Sequence, residues 1–503
     1  MTPLRTNLIA NLVGRIWTAL MAIAFVPWYV RLLGLEAFGL VGFFALLQAV
    51  CVVLDLGLST AVTRGLATLT ERPGSGDDQR DLVRTFELLN WAIALTLGAG
   101  VAVAAPAIVA SWINAKDLDP EEAVQAVRLM GLIMAVRWPA NLYAGALGGM
   151  QSQLSLNLIT AGGATVASVG VLGVLSWLSA SIPAFFAWQA AIAALQTLVV
   201  AWWTWRLLPA STRTPRFSGR ILGEQWRFAA GMSAIAVLSV LLSQTDKIIL
   251  SRMLTLETFG LYALATVVAN GLGILVSPIF TAVFPRLSAD VARGDQSRLT
   301  ADYHRACRLM ALLILPPALA VSCFAEAVLL AWTGDPAIAE AAGPVLAILL
   351  LGTALNSLMM IPYALQLAHG STRLGLRFNL ISAVVVVPLI IAGASHFGPA
   401  GAAAVWPLLN LVYVLVGMPM IHRRFLPDAQ GRWMLHDTGI PFLAAAAAVA
   451  GCALAASPNP SRMVAVAWAT SAIVIAYLAA GASSRLASGP LAQGVVDRHE
   501  DRG

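Results

Sequence analysis

Apolar residues in this chain come in long unbroken runs, divided by short polar stretches rich in arginine, glycine and proline. A run of about 18 to 26 such residues, wound as an α-helix, crosses the roughly 30 Å of hydrocarbon in a bilayer. Runs of this kind cover residues 9–33, 38–62, 88–113, 124–147, 154–178, 182–205 and 228–254. They continue at 259–284, 309–332, 344–368, 378–397, 400–421, 438–456 and 463–480. The pattern predicts an all-α integral membrane protein with fourteen transmembrane helices.

Two stretches 221 residues apart read almost alike: Arg31-Leu32-Leu33-Gly34-Leu35-Glu36-Ala37-Phe38-Gly39-Leu40 and Arg252-Met253-Leu254-Thr255-Leu256-Glu257-Thr258-Phe259-Gly260-Leu261. The register continues where Thr60-Ala61-Val62 matches Thr281-Ala282-Val283, and in a second match, offset by 220 residues, Tyr143-Ala144 answers Tyr363-Ala364. Helices one to six therefore repeat as seven to twelve. An even number of crossings per copy gives both the same direction of insertion, about a pseudo-two-fold axis along the membrane normal. The expected organisation is a six-helix lobe over 1–206, a linker over 207–225, a second six-helix lobe over 226–424, two extra helices within 425–481 and a tail over 482–503.

Composition agrees with a bilayer environment, because 59% of residues are hydrophobic and 11% charged, against about a quarter charged in soluble domains. The first run has no small-residue cleavage site behind it, so it is expected to stay as a membrane helix. Cys51, Cys307, Cys323 and Cys452 show no metal-ligand spacing and are expected to be small core residues. Neither a metal nor a cofactor is expected, and no polar segment is long enough for a catalytic domain, so the chain is not expected to be an enzyme.

Lysine and arginine sort by loop. With the N-terminus cytoplasmic, inner loops and tails hold 21 of the 31, whereas the outer loops hold Arg31, Lys116, Arg252 and Arg462. This asymmetry predicts that both termini are cytoplasmic. The net charge of +6 is then a topology signal and gives no reason to expect nucleic acid as a partner.

Six basic residues remain in or at the ends of membrane segments: Arg15, Arg128, Arg137, Lys247, Arg305 and Arg308. A charge at the bilayer centre costs at least about 2.5 to 3.5 kcal/mol on insertion scales, so one that stays there faces a wet cavity or a partner. Arg128, Arg305 and Arg308 lie near helix ends, where long side chains reach the interface. Asn7, Asn11, Arg15 and Thr18 share a sector of about 80° on a helix, giving the first helix a polar stripe. Ser239, Ser243, Asp246 and Lys247 give its repeat partner, helix seven, another. Asp246 and Lys247 also admit a second reading, as a neutralised pair tying helices together.

Asp55 stands in an apolar run with no basic residue one turn away, and is read as a proton or cation site or as the mate of Arg15. Arg137 precedes Trp138-Pro139, where the missing proline N–H opens the helical ladder. Nine residues separate Arg128 from Arg137, which puts them on opposite faces, and Arg137 is the one expected in a cavity. The candidate substrate-binding set is Arg15, Arg137, Lys247 and Asn11. Asp55 and Asp246 are candidate ion-coupling or charge-partner residues.

Around Leu54-Asp55-Leu56-Gly57-Leu58-Ser59-Thr60-Ala61-Val62-Thr63-Arg64 and Gln244-Thr245-Asp246-Lys247-Ile248-Ile249-Leu250-Ser251-Arg252, the sequence resembles the bacterial polysaccharide flippases (Wzx type). These belong to the MATE-like multidrug/oligosaccharidyl-lipid/polysaccharide exporter superfamily. The resemblance implies an inner-membrane flippase that carries a polyprenyl-diphosphate-linked oligosaccharide outward for O-antigen or exopolysaccharide synthesis, by rocking two lobes around a cationic cavity. Polysaccharide polymerase or ligase proteins are the implied partners, besides lipid. Three other functions are weighed. A lipid II flippase would carry a denser arginine cluster. A multidrug exporter moves cations that the cationic stripes would repel. A membrane scaffold leaves the intramembrane charges unexplained.

Overall fold

A computed structural model describes residues 3–54, 57–211, 213–223, 243–371, 373–456 and 462–487. These residues are almost wholly helical and contain no strand. The chain divides into two units, Met1–Gly260 and Leu261–Gly503.

In the first unit, α1 (Pro3–Ala24) and α2 (Val26–Leu33) cover the first predicted span. Pro27 at the start of α2 marks the bend between them. The second predicted span is not one helix. It comprises α3 (Leu35–Leu54) and α4 (Leu58–Thr70), separated at Gly57, whose φ of +69° is a left-handed conformation that a side chain would disfavour. Next come α5 (Gly76–Trp112), α6 (Pro120–Gly149), α7 (Gln153–Gly173), which runs on through a π turn to Leu178, and α8 (Ile182–Leu207).

Helices α5 and α6 meet through glycine: a Cβ on Gly98 would stand 2.5 Å from the carbonyl oxygen of Gly131. In lipid there is no hydrophobic force between helices, so close backbone approach of this kind supplies the packing energy. Leu58, Val62, Leu66, Val83, Phe86 and Leu142 fill the seam where α4, α5 and α6 converge.

The connector after α8 is docked on the start of α5. Arg80 donates to the carbonyl of Pro209 at 2.6 Å, Arg213 bonds the Asp81 carboxylate, and the N–H groups of Arg216 and Ser218 bond Asp81 and Thr85 at 2.7 and 2.9 Å. The hydrogen bond it donates to Asp81 holds the Arg213 guanidinium pKa above its ordinary value. Residues 243–253 form α9, and α10 (Leu256–Gly271) carries the chain across the unit boundary.

The second unit continues with α11 (Gly273–Arg293), α12 (Gln296–Cys323), α13 (Ala325–Thr333), α14 (Pro336–Leu358) and α15 (Met360–Ala368). The segment α16 (Arg373–Val412) contains a reversal at Gly398, with φ +61°, and the backbones of Gly393 and Gly401 touch across it. It holds two expected membrane helices, the second extended by α17 (Met418–Phe425). After α18 (Ala429–Arg432), α19 (Ile440–Ala455) and α20 (Arg462–Ala487) pack on α12 through Ala320, Ala445, Val449, Ala472 and Ala476. Alanine at the contacts again lets helix backbones come close.

Ten helical stretches among the described residues are long and apolar enough to cross a membrane, and Leu374–Phe425 is one that includes the Gly398 reversal. Three predicted spans fall outside the ten. The apolar part of α3 is short, α6 carries Glu121, Glu122, Arg128 and Arg137, and helix seven begins before the described residues. A total of fourteen is compatible with this arrangement. Large apolar side chains such as Val103, Trp177, Leu198, Leu380 and Leu478 point outward, as a lipid-facing surface requires. Cys307 and Cys452 are core residues as expected, but Cys323, the last residue of α12, is exposed.

Candidate functional site

The polar stripe of α1 is met by one on α7. Asn157 donates its amide to Asn11 Oδ1 at 2.5 Å and also bonds the Gln153 carbonyl, while Trp17 donates to Thr165 at 2.8 Å. Gly14 makes room for this, since a Cβ there would lie 2.6 Å from Asn157 Oδ1. Asn11 is thus engaged in joining two helices. Arg15, one turn further on, is exposed.

Arg137 is solvent-accessible on α6 yet set deep among protein atoms, one turn before exposed Asn141, and Arg128 with Leu132 occupies the opposite side of the same helix. The angular separation of the two arginines is as their spacing requires. α6 runs through Pro139 without interruption, and Trp138 and Pro139 are both buried. The proline therefore leaves the Ala135 carbonyl without its usual donor but does not break the helix. Thr197 on α8 donates to the neighbouring Val136 carbonyl at 2.8 Å.

On α9, Lys247 Nζ stands 3.4 Å from Asp246 Oδ1 and 3.4 Å from the Ser243 carbonyl, with both charged side chains about one-fifth exposed. That pairing lies within one helix. Asp55 and Ser239 lie outside the described residues, and so does the side chain of Asn7.

Away from the arginine-rich loops, the first unit is fastened by a group of contacts that sequence reading missed. The Glu36 carboxylate accepts from the backbone N–H groups of Lys116, Asp117 and Leu118. Leu256 N–H donates to the Asn114 carbonyl at 2.9 Å, Trp112 donates to Ser251 Oγ at 3.0 Å, and the Arg252 guanidinium lies 5.4 Å from the Trp112 ring centre. The two copies of the repeated motif meet here: a Cβ on Gly260 would be 2.6 Å from the Leu35 carbonyl oxygen, and one on Gly39 would collide with that of Leu256. The matched glycines of the repeat are the sequence signal for this contact.

Two buried polar clusters were also missed. In the first unit, Glu87 accepts from Tyr143, from Trp205 at 3.1 Å and from Arg84 at 2.7 Å. In the second, the fully buried Asp437 bonds His304 Nδ1 and lies 3.4 Å from Arg308, while Tyr303 bonds His422, which pairs with Gln430. Their only sequence signal is a titratable residue at the edge of an apolar run. Arg305, by contrast, is exposed and pairs with Asp302 at 3.1 Å. No cluster of three metal-ligating side chains occurs among the described residues.

A multi-pass helical bundle with internal duplication and polar stripes inside apolar helices defines a membrane transporter. A family model described as polysaccharide biosynthesis protein matches residues 4–289, more than half the chain, and a second, MatE, matches residues 232–392. The chain belongs to the polysaccharide biosynthesis protein family, within the multidrug/oligosaccharidyl-lipid/polysaccharide exporter superfamily. It is 22% identical over 410 residues to a protein of Shigella flexneri named "Putative O-antigen transporter", covering 82% of this chain and 96% of that one.

Among solved structures, the lipid II flippase MurJ in an inward closed conformation superposes with a TM-score of 0.72 at 11% identity, covering 97% of this chain and 99% of that one. An inward-facing multidrug resistance MATE family transporter gives 0.64 at 17% identity, covering 83% and 94%. These two likenesses show the fold.

Proposed function

We propose that this protein is an inner-membrane flippase that moves a polyprenyl-diphosphate-linked oligosaccharide from the cytoplasmic to the outer face, for O-antigen or exopolysaccharide assembly. The observation that carries the reading is the pair of solvent-accessible arginines, Arg15 and Arg137, on long helices of the first unit in a chain of this family, the second of them set deep among protein atoms. A diphosphate is a dense anion, and arginine binds phosphate oxygens through paired N–H groups, most strongly where water is scarce. Lys247 adds a cation on helix seven, partly neutralised by Asp246. Asp246 and Asp55 are the proposed ion-coupling or charge-partner residues.

With both termini cytoplasmic and the cell interior negative, outward transfer of an anionic headgroup gains about 2.3 kcal/mol per charge per 100 mV. Alternating access by two six-helix lobes then exposes the cations first to one face and then to the other. A polymerase or ligase would receive the cargo.

The test is transport in proteoliposomes with three cargoes: a fluorescent polyprenyl-diphosphate oligosaccharide, a fluorescent lipid II and a cationic dye. Flipping of the first alone is expected. Transport of lipid II with no activity on the oligosaccharide assigns the protein to peptidoglycan precursors, and extrusion of the dye alone assigns it to multidrug export.

A further inference from the structure

The turn between α11 and α12 joins two copies of one octad, Arg286-Leu287-Ser288-Ala289-Asp290-Val291-Ala292-Arg293 and Arg298-Leu299-Thr300-Ala301-Asp302-Tyr303-His304-Arg305. In each, the first arginine, the aspartate and the last arginine fall at i, i+4 and i+7, one stripe of a helix. The second residue anchors each copy, Leu287 and Leu299 both being buried. Gly294, with φ +69°, turns the chain, and Asp295 caps α12 through the Arg298 N–H at 3.0 Å. The two stripes line opposite walls of one cleft of about 600 Å³, formed by the arginines, aspartates and alanines of both octads.

The charges inside it do not cancel. Four arginines face two aspartates, a surplus of two positive charges. Asp290 is almost fully buried, and one of its oxygens stands 3.3 Å from Arg293 and 3.4 Å from Arg298, so a single carboxylate positions a guanidinium from each octad. Asp302 holds Arg305 at 3.1 Å, and Arg286 forms no ion pair among the described residues. These arginines remain exposed, with N–H groups available to a ligand. In the first unit the residue equivalent to Asp302 under the repeat is Asp81, which is taken up by Arg213 and the Arg216 N–H of the connector. The described residues place no such segment over Asp302.

We infer that the duplicated octad forms a binding site for the phosphate group of a lipid, at the membrane boundary on the arginine-rich face. The surplus of two charges suits a phosphate dianion or a diphosphate, and guanidinium pairs are the side chains that grip phosphate oxygens in a fork. A basic cluster directly beside membrane helices also stands at the depth of lipid headgroups. The site rests on the proposed orientation, with this face cytoplasmic, where both anionic phospholipid and a lipid-diphosphate cargo are presented.

Purified full-length protein in detergent is titrated separately with cardiolipin, undecaprenyl diphosphate, inorganic diphosphate and phosphatidylcholine, and bound lipid is read by native mass spectrometry. The wild type is compared with the triple variant Arg286→Gln, Arg298→Gln, Arg305→Gln and with the control Arg423→Gln, Arg424→Gln. Equal thermal unfolding midpoints check that each is folded, and Arg286→Gln alone replaces the triple variant if that one is not. At least tenfold weaker binding of cardiolipin or undecaprenyl diphosphate in the cleft variant, with less than twofold change in the control, is expected. Preference for undecaprenyl diphosphate makes the cleft a receiving site for cargo, and preference for cardiolipin makes it a phospholipid site.

Unchanged lipid binding in the cleft variant overturns the inference. So does equal loss in the control, equal binding of phosphatidylcholine, or binding of inorganic diphosphate alone. Flipping by wild type with no cleft effect leaves the flippase reading intact. Cardiolipin binding without flipping leaves the cleft intact and removes the flippase.

Discussion

Helices α5 and α12 hold the same place in the two repeats, and the 221-residue offset brings Asp81, Arg84 and Glu87 onto Asp302, Arg305 and Arg308. The first two positions keep their charge, and the third reverses it. Glu87 is an acceptor, and it gathers the donors Tyr143 and Trp205 from α6 and α8. Arg308 is a donor, and it reaches Asp437 just before α19, which also binds His304. A reversal of sign at one position thus changes what the helix holds: its own lobe in the first unit, the C-terminal helix pair in the second. The duplicated frame is kept by apolar packing, and the choice of neighbour is made by single charges, buried at Glu87 and half-buried at Arg308.

The largest effect that would sharpen this contrast is at Asp437. Asp437→Asn leaves Arg308 and His304 facing a neutral side chain in a dry site, and removal of one partner of such a pair costs about 3 to 5 kcal/mol. The expected outcome is a large drop in the unfolding midpoint in detergent, with early release of α19 and α20 in hydrogen exchange. An effect as small as that of a surface substitution would break the comparison, because Asp437 would then not be the anchor.

The glycines come next. Alanine at Gly39 or Gly260 places a methyl group against a backbone carbonyl that has no side-chain freedom to yield, an overpacking cost of about 1 to 3 kcal/mol. Because the two are repeat equivalents at one contact, similar losses are expected from each. Disulfide trapping between cysteines introduced near Trp112 and Ser251 would show this end opening more often in either variant. A harmless Gly39→Ala beside a damaging Gly260→Ala would show that the contact is not shared.

Glu87→Gln is a milder change, since the amide oxygen still accepts from Tyr143 and Trp205 and only the charge toward half-exposed Arg84 is lost. About 1 kcal/mol is expected from the same unfolding measurement, several times less than at Asp437, and equality of the two would contradict the role given to sign.

The smallest effect concerns the turns that lead into α5 and α12. Asp295 caps α12, and its bonds from the Arg298 N–H and the Ser297 hydroxyl hold its carboxyl pKa below the ordinary range. A depressed carboxyl contributes stability above its unfolded pKa, about 3.9, and loses it as pH falls through the folded value. Asp295→Asn should remove a slight acid dependence of unfolding below that pH. Ser75 has no carboxyl and caps no backbone N–H of α5, its hydroxyl accepting instead from the Gln79 side chain at 3.0 Å, so Ser75→Ala should leave acid sensitivity unchanged.

Much of this architecture was legible in the sequence, because membrane helices announce themselves by length alone. The repeat motif contained both glycines of the contact between Gly39 and α10, but nothing in it said that the two copies touch. The break at Gly57 was hidden inside an apolar run, since a glycine in such a run looks like packing until its φ is known. Asn11 was legible as a polar face, but whether that face meets a cavity or another helix depends on Asn157, 146 residues away. Glu87, His304 and Asp437 were passed over for a related reason. Each sits at the edge of a span, where charge is ordinarily solvated, and only the fold buries it. The octads at 286–305 fall between predicted spans, where positive-inside counting treats arginine as bare charge.

In the proposed function, cations within the membrane helices hold the lipid diphosphate during transfer. Its most direct test is the flipping rate of a fluorescent polyprenyl-diphosphate oligosaccharide in proteoliposomes, with Arg15→Ala, Arg137→Ala and Lys247→Ala compared with wild type at equal incorporation. At least tenfold slower flipping is expected for Arg15→Ala and Arg137→Ala, and a smaller loss for Lys247→Ala, whose charge Asp246 already shares. Wild-type rates in all three variants would contradict it.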